Sequence, residues 1–169
     1  PKDDSERVNR EKLRLLKGAY RTKGAALQRT RAYRNFFSTN AQWLKPYAAF
    51  CVLRDRFGTA DFSQWGGWAT YDDAAVEHIC KECREEVGFV FFVHYHLHAQ
   101  FAAARNYAHS KGVYLKGDLP IGVSRNSVDV WQWPHLFNTT QQAGAPPDAF
   151  ARDGQNWGFP TYNWDAMMQ

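Results

Sequence analysis

Between Gly112 and Trp164 the chain keeps neither the 3.6-residue nor the two-residue hydrophobic period, and this constrains its fold more than any other feature. The stretch opens on Val113-Tyr114-Leu115, a short β-prone run that ends on Gly117-Asp118. It then runs polar and aromatic through Trp131, Trp133, Trp157, Tyr162 and Trp164. At 169 residues the chain is long enough for one ordinary domain with a real core. Long loops without structure of their own are uncommon in compact domains unless they perform some task. A carboxylate at the end of a buried strand, followed by a loop rich in Trp, Asn, Gln and Asp, is what a sugar site needs. Indole faces cover the apolar faces of pyranose rings, and short polar side chains pair with the hydroxyls. The plainer reading is a Trp-anchored surface loop that only packs, and composition alone leaves the two open.

Upstream of that stretch the patterning is helical. Ser5 is placed to cap a helix through Val8, Leu13, Leu15 and Leu16, with Gly18 or Gly24 as interruptions. Residues 25–37 and 40–56 read as further helices. In the second, Trp43, Leu44, Tyr47, Phe50 and Cys51 make an apolar face, Pro46 bends or starts it, and Phe57-Gly58 ends it. Asp61 to Trp68 reads as a loop with two indoles. Asp72-Asp73 then caps a helix through about Val87, ending at Gly88. The run Phe89 to Val93 alone would pass for a buried strand. Extended forward, Phe89, Phe92, Val93, His96, Leu97, Gln100, Ala103, Ala104 and Tyr107 form one helical stripe closed by Gly112. The expectation is therefore helix 89–110, turn, strand 113–118, which is one αβ step of a barrel or of an open sheet.

Charge and cysteine usage exclude more than they establish. Residues 1–37 hold eleven Lys and Arg against four Asp and Glu, so this segment is +7 and the remainder −3. A solvated helical face accounts for that better than nucleic-acid binding, because aromatic interleaving is thin and no nucleic-acid motif is present. Three cysteines, Cys51, Cys80 and Cys83, make no disulfide framework and suit a reducing cytosol. No apolar run approaches the length of a membrane span. His94, His96 and His98, and Cys80-x-x-Cys83 with His78, imitate parts of a zinc site. Alternate residues on a helix point about 200° apart, so the three histidines cannot converge on one ion there, although on a strand they could. No metal and no cofactor is expected.

The residues that carry a resemblance are Gly117-Asp118-Leu119-Pro120-Ile121-Gly122-Val123, Ser127-Val128-Asp129-Val130-Trp131 and Gly144-Ala145-Pro146-Pro147-Asp148-Ala149-Phe150. It continues through Gly154-Gln155-Asn156-Trp157-Gly158-Phe159-Pro160-Thr161-Tyr162-Asn163-Trp164. This set resembles the 4-α-glucanotransferases (amylomaltases, or disproportionating enzymes) of glycoside hydrolase family 77. It looks closest to the branch typified by the plant cytosolic disproportionating enzyme, which shares the flavour of His96-Leu97-His98-Ala99-Gln100. The match is dense over about fifty residues and looser back to about Phe50. The resemblance implies a (β/α)8 barrel, which typically needs about 250 residues or more. With at most one strand signal, and with Met167-Met168-Gln169 following directly on a loop, the expectation is a piece of a larger enzyme. The fold class expected is α+β, mostly helical: a fragment of a TIM barrel with a helical insertion. Residues 1–87 form the insertion and residues 88–169 a partial barrel, whose donor-side substrate loop spans 119–164.

Retaining transfer of an α-1,4-glucan segment needs two carboxyl groups about 5 Å apart, one a nucleophile and the other an acid and base. A transferase must also keep water out while an acceptor sugar arrives. The family's motifs for that carboxylate pair do not occur in this chain, so the fragment alone is expected to be inactive. What the resemblance does assign is Asp118, as the Asp at the end of the third barrel strand, orienting the pocket around the nucleophile without attacking. It also assigns Asp148 and Phe150 to a lid-like loop on the donor side, and Gln155 and Trp157 to hydrogen bonding and stacking on sugar rings. Trp131, Trp133 and Asp129 read as buttresses of the loop. The implied partners are α-1,4-glucans such as maltooligosaccharides, starch or glycogen, with no nucleic acid and no membrane. A cytoplasmic location and self-association of the exposed fragment are also expected. The alternatives weighed are a non-catalytic carbohydrate-binding module, opposed by the helical patterning, and an interaction domain that uses the basic N-terminal helices.

Overall fold

A computed structural model describes residues 2–169, with side chains from Asp4 onward. The chain is mostly helical and divides into two compact units. One comprises the residues up to Val52 together with Glu77–Lys116. The other comprises Leu53–Val76 and Gly117–Gln169.

The first unit is built from three long helices and part of a short one. Helix α1 runs over Lys2–Gln28, α2 over Arg31–Phe57 (passing into the second unit after Val52), α3 over Asp73–Glu82 and α4 over Arg84–Ser110. Ser5 lies inside α1 and does not cap it, and neither Gly18 nor Gly24 interrupts the helix. Gly24 is retained for space: a Cβ there would stand 2.6 Å from the Tyr20 ring. Tyr20 in turn packs on Phe89 and Phe92 of α4, with ring centroids 5.9 and 5.5 Å away. A Cβ on Gly88 would stand 2.2 Å from the Tyr20 hydroxyl, so two glycines make the slot for one ring. The break between α1 and α2 falls at Thr30, whose Oγ1 donates to the Leu27 carbonyl at 2.7 Å and accepts from the Tyr33 amide at 3.2 Å. From there α2 is continuous, so the separate helices expected at 25–37 and 40–56 do not form. Pro46 neither starts nor ends α2. The buried face of Leu44, Ala48, Ala49 and Leu53 offsets the backbone bond that a helical proline forfeits.

Asp72 does cap α3, accepting from the Ala75 amide at 2.8 Å. The helix ends at Glu82 and not near Val87, because Cys83, with φ −103° and ψ 46°, leaves helical geometry before α4 restarts. Phe89 to Val93 lies within α4, and Phe91 and Phe92 are buried in the core of this unit. Across the α2–α4 seam Phe37 meets Phe91 at 5.1 Å and Phe36 meets Tyr95 at 5.6 Å. Lys45 pairs with Glu77 at 2.5 Å. At the end of α4, Gly112 adopts φ 76°, where its amide reaches the His109 carbonyl and that of Val113 reaches Ala108, both at 3.0 Å. That is the glycine stop the sequence leads one to expect.

The strand expected at 113–118 is corrected by the structure. These residues join no ladder, and Val113, Tyr114 and Leu115 are exposed. A parallel strand gains its order from a neighbour on either side, and no described strand lies beside this one.

The second unit holds a short helix α5 (Val128–Gln132), four two-residue strands and a final turn of helix α6 (Trp164–Met167). The strands are β1 (Phe137–Asn138), β2 (Gly144–Ala145), β3 (Gln155–Asn156) and β4 (Thr161–Tyr162). Strand β1 pairs antiparallel with β4, Phe137 opposite Tyr162, and β2 pairs antiparallel with β3, Ala145 opposite Gln155. The two ladders nest, so residues 137–162 form one interrupted hairpin, whereas the sequence reading found no periodic structure there. Two-residue strands are too short to display a period.

Candidate functional site

The hairpin carries four of the five residues singled out from the sequence. Its ladders are stitched together by the Ala143 amide donating to Phe159 O at 2.9 Å and the Trp157 amide donating to Ala143 O at 3.0 Å. Asn138 Nδ2 donates to Thr161 Oγ1 and to Tyr162 O, each at 3.2 Å. Arg125 braces the turn between β1 and β2, donating through one guanidinium nitrogen to Gln141 O at 3.0 Å and through the other to Thr139 O. No feature of the sequence marks that arginine, because its partners are backbone carbonyls, which carry no residue identity.

Gln155 lies in β3 and Trp157 directly follows that strand, and the indole Nε1 donates to Gln155 Oε1 at 2.9 Å. An indole nitrogen can only donate, so this bond holds the amide oxygen and leaves the amide's own donors directed elsewhere. Trp157 is 42% exposed. Its ring leans on Phe159 at 5.8 Å and 33°. Phe159 in turn lies over Gly122, where any Cβ would stand 2.2 Å from the ring. Thus Gly122, four positions after Asp118, is in contact with the hairpin through Phe159. Asp118 itself is exposed, and its Oδ1 accepts from the Leu119 amide at 3.0 Å. At the hairpin tip the Asp148 carboxylate accepts from the amides of Phe150 and Ala151 at 2.8 and 2.6 Å, and Phe150 is 98% exposed.

The same unit holds an aromatic cluster built from two distant parts of the chain. The loop from Asp61 to Trp68, read from the sequence as a loop with two indoles, contributes Trp65 to the core at 0% exposure. Trp65 donates to Thr59 O at 3.0 Å and packs against Trp131 at 5.7 Å, with the ring planes 74° apart. Trp131 also meets Tyr71 edge-on at 5.0 Å and donates to Trp68 O at 3.0 Å. Tyr71 donates to Asp73 Oδ1 at 2.6 Å and accepts from Gln132 Nε2 at 3.3 Å. Its phenol is held above the usual range, first by burial and then by the bond to Asp73, and so stays a donor. Trp131 therefore buttresses as expected, whereas Trp133 is not buried. The signal that could have paired Trp65 with Trp131 is absent from the sequence, since the two are 66 positions apart.

The three alternating histidines of the first unit each pack against aromatic rings, and His78 lies 3.7 Å from Glu82. His94 sits edge-on between Trp43 and Tyr47, at 5.5 and 5.0 Å. His96 packs on Phe92 at 4.5 Å and His98 on Phe36 at 5.2 Å. Burial, and after it the neighbouring Glu77, push the Cys80 thiol up to about 11, which keeps it protonated at neutral pH and a poor metal ligand. Among the described residues no three His, Cys, Asp or Glu gather where they could hold a metal ion. No helix among them is long and apolar enough to cross a membrane. The site thus offers an exposed indole, an exposed phenyl ring and fixed amide and carboxylate groups, which is equipment for stacking on and hydrogen bonding to a polyhydroxylated ring.

Comparison with known proteins extends these observations. The sequence profile of glycoside hydrolase family 77, described as 4-alpha-glucanotransferase, matches residues 2–169. The chain is 44% identical over 169 residues to the 4-alpha-glucanotransferase DPE2 of Oryza sativa subsp. japonica, which covers 98% of this chain and 18% of that protein. It is 31% identical to the 4-alpha-glucanotransferase of Thermus thermophilus, covering 90% of this chain and 32% of that one. Among solved structures, the amylomaltase from Streptococcus agalactiae in complex with acarbose superposes with a TM-score of 0.71. That match has 32% identity and covers 82% of this chain and 30% of the other. The chain therefore spans between about a fifth and a third of the length of these relatives.

Proposed function

The chain belongs to glycoside hydrolase family 77, the 4-alpha-glucanotransferases, and from that premise we propose that it forms part of an enzyme that moves α-1,4-glucan segments between maltooligosaccharides or larger glycans. The observation that carries the proposal is the agreement between a family match over residues 2–169 and an exposed indole, Trp157, hydrogen-bonded to a fixed amide, Gln155, on one hairpin. The mechanism proposed is retaining double displacement, with a glycosyl-enzyme intermediate released to an acceptor hydroxyl. Residues 88–169 are read as a partial barrel and residues 1–87 as the helical insertion before it. On that reading α4 and residues 113–118 after it are part of the chain's contribution to the barrel.

Within this scheme Asp118 orients the pocket at a strand end, and Gln155 and Trp157 bind a sugar ring on the donor side. Phe150 covers the ring from the hairpin tip. The nucleophile and the acid–base carboxyl come from other parts of the parent protein. The substrates proposed are maltooligosaccharides, starch or glycogen, in the cytosol, with no cofactor. The test uses the full-length protein that contains this segment, incubated with maltotriose. It should yield glucose together with longer maltooligosaccharides and little net hydrolysis. Asp118→Ala should lower turnover by about a hundredfold or more, the scale expected when reacting groups lose their placement. Failure of the wild-type protein to disproportionate maltotriose would refute the activity. A near-wild-type rate for Asp118→Ala would remove Asp118 from the site.

A further inference from the structure

We propose that Asp148 is a positioning residue: it shapes the hairpin tip so that Phe150 stands ready as an apolar face, and it does not itself bind the sugar. This rests on the reading of the hairpin as a glucan site and changes the role expected of Asp148 within it. The argument begins with where its hydrogen bonds go. Oδ1 accepts from two consecutive amides, Phe150 at 2.8 Å and Ala151 at 2.6 Å. The Asp148 amide donates to Ala151 O at 3.1 Å, and the Gly154 amide donates to the same carbonyl at 2.9 Å. The tip is thus closed on itself by four bonds around Ala151.

Its two flanks are fixed as well. Pro146 and Pro147 lead into the tip with pre-set φ angles. Gly154 leaves it with φ 74°, and a Cβ there would stand 2.6 Å from Ala145 O. Within this frame Ala149 and Phe150 occupy the outermost turn, and Phe150 is 98% exposed. An exposed phenyl ring on a loop without internal bonds would lose its freedom on meeting a ligand. Here the ordering cost is met in advance by the carboxylate, so the ring is pre-organised. The chemistry at Asp148 needs an acceptor oxygen and not a negative charge. Asparagine supplies that oxygen in the same side-chain-to-backbone turn.

That equivalence separates positioning from binding. In the full-length protein with maltohexaose as donor and acceptor, Asp148→Ala should lower kcat/KM by about tenfold, mainly through KM, while Asp148→Asn recovers to within about threefold of wild type. In a Phe150→Ala background, Asp148→Ala should add less than about twofold, because both changes remove the same presented ring. A readout independent of activity is tryptic cleavage after Arg152, which should be faster in Asp148→Ala and unchanged in Asp148→Asn. If the full-length protein transfers no glucan, the reading of the site fails, while the cleavage rates still decide whether Asp148 orders the tip. The proposal is overturned if Asp148→Asn loses as much activity as Asp148→Ala with Arg152 still protected, since the charge would then act on the sugar. It is equally overturned if the losses from Asp148 and Phe150 are additive, or if Asp148→Ala leaves both activity and cleavage unchanged.

Discussion

At the scale of single residues, the positions that matter most here are those where space is the constraint. Tyr20 fits because Gly24 and Gly88 have no Cβ, and the ring then reaches Phe89 and Phe92. Gly88→Ala should therefore destabilise the fold by about 1–3 kcal/mol, since the packed ring must shift to admit a methyl group. Urea denaturation would check this, and an unchanged midpoint would show that Tyr20 moves aside freely. Gly122 under Phe159 follows the same logic at the site, where the absent side chain lets the ring settle beneath Trp157. The sequence reads Gly88 as a helix end and Gly122 as part of a motif, and at neither does it show the ring for which the glycine makes room. Gly112, by contrast, is legible there, because a glycine directly after a helical stripe marks a backbone conformation and not a distant neighbour.

At the scale of elements, helix type and order follow closely from the pattern, whereas boundaries follow from local capping. The α1–α2 break at Thr30 is marked by the bonds of one hydroxyl and the α3–α4 break at Cys83 by one residue's backbone, and no hydrophobic period reports either. The α2–α4 seam also carries a pH dependence. Burial lowers the pKa of His94 from its ordinary 6.5, with Trp43 and Tyr47 flanking the ring. The neutral imidazole is thus the form that the fold favours. Its contribution is whole above 6.5 and declines as the pH falls towards the lowered folded value, because the unfolded chain takes up the proton first. Thermal melts from pH 8 to 5 should show a smaller loss of stability in His94→Leu than in wild type. An identical slope in the two proteins would place the acid sensitivity elsewhere.

At the scale of the whole molecule, each of the two units leaves large apolar side chains exposed. The first presents a stripe of apolar side chains along the second half of α4, with Leu97 and Phe101 at 54% and 65% exposure. Large exposed apolar stripes are uncommon on proteins that act alone. If the carboxylate pair belongs to other parts of the parent, the purified 169 residues should release no glucose from maltotriose, and should self-associate through that stripe. Sedimentation would follow the association, with Phe101→Ser shifting the chain towards monomer. Disproportionation by the 169 residues alone would overturn the proposed division of labour. The family itself was legible from residues 117–164, because its resemblance rests on runs of particular side chains in a particular order, and that order is written in the chain. The helical character was legible too, since a 3.6-residue stripe is a local property. Only the tertiary structure decided which indoles are buried, that Arg125 braces the hairpin, and that Asp148 turns its carboxylate onto its own backbone. Those outcomes depend on which groups approach one another in space, whether two residues apart as at Asp148 or far apart in the chain as at Trp65 and Trp131, and a hydrophobic period carries no record of that approach.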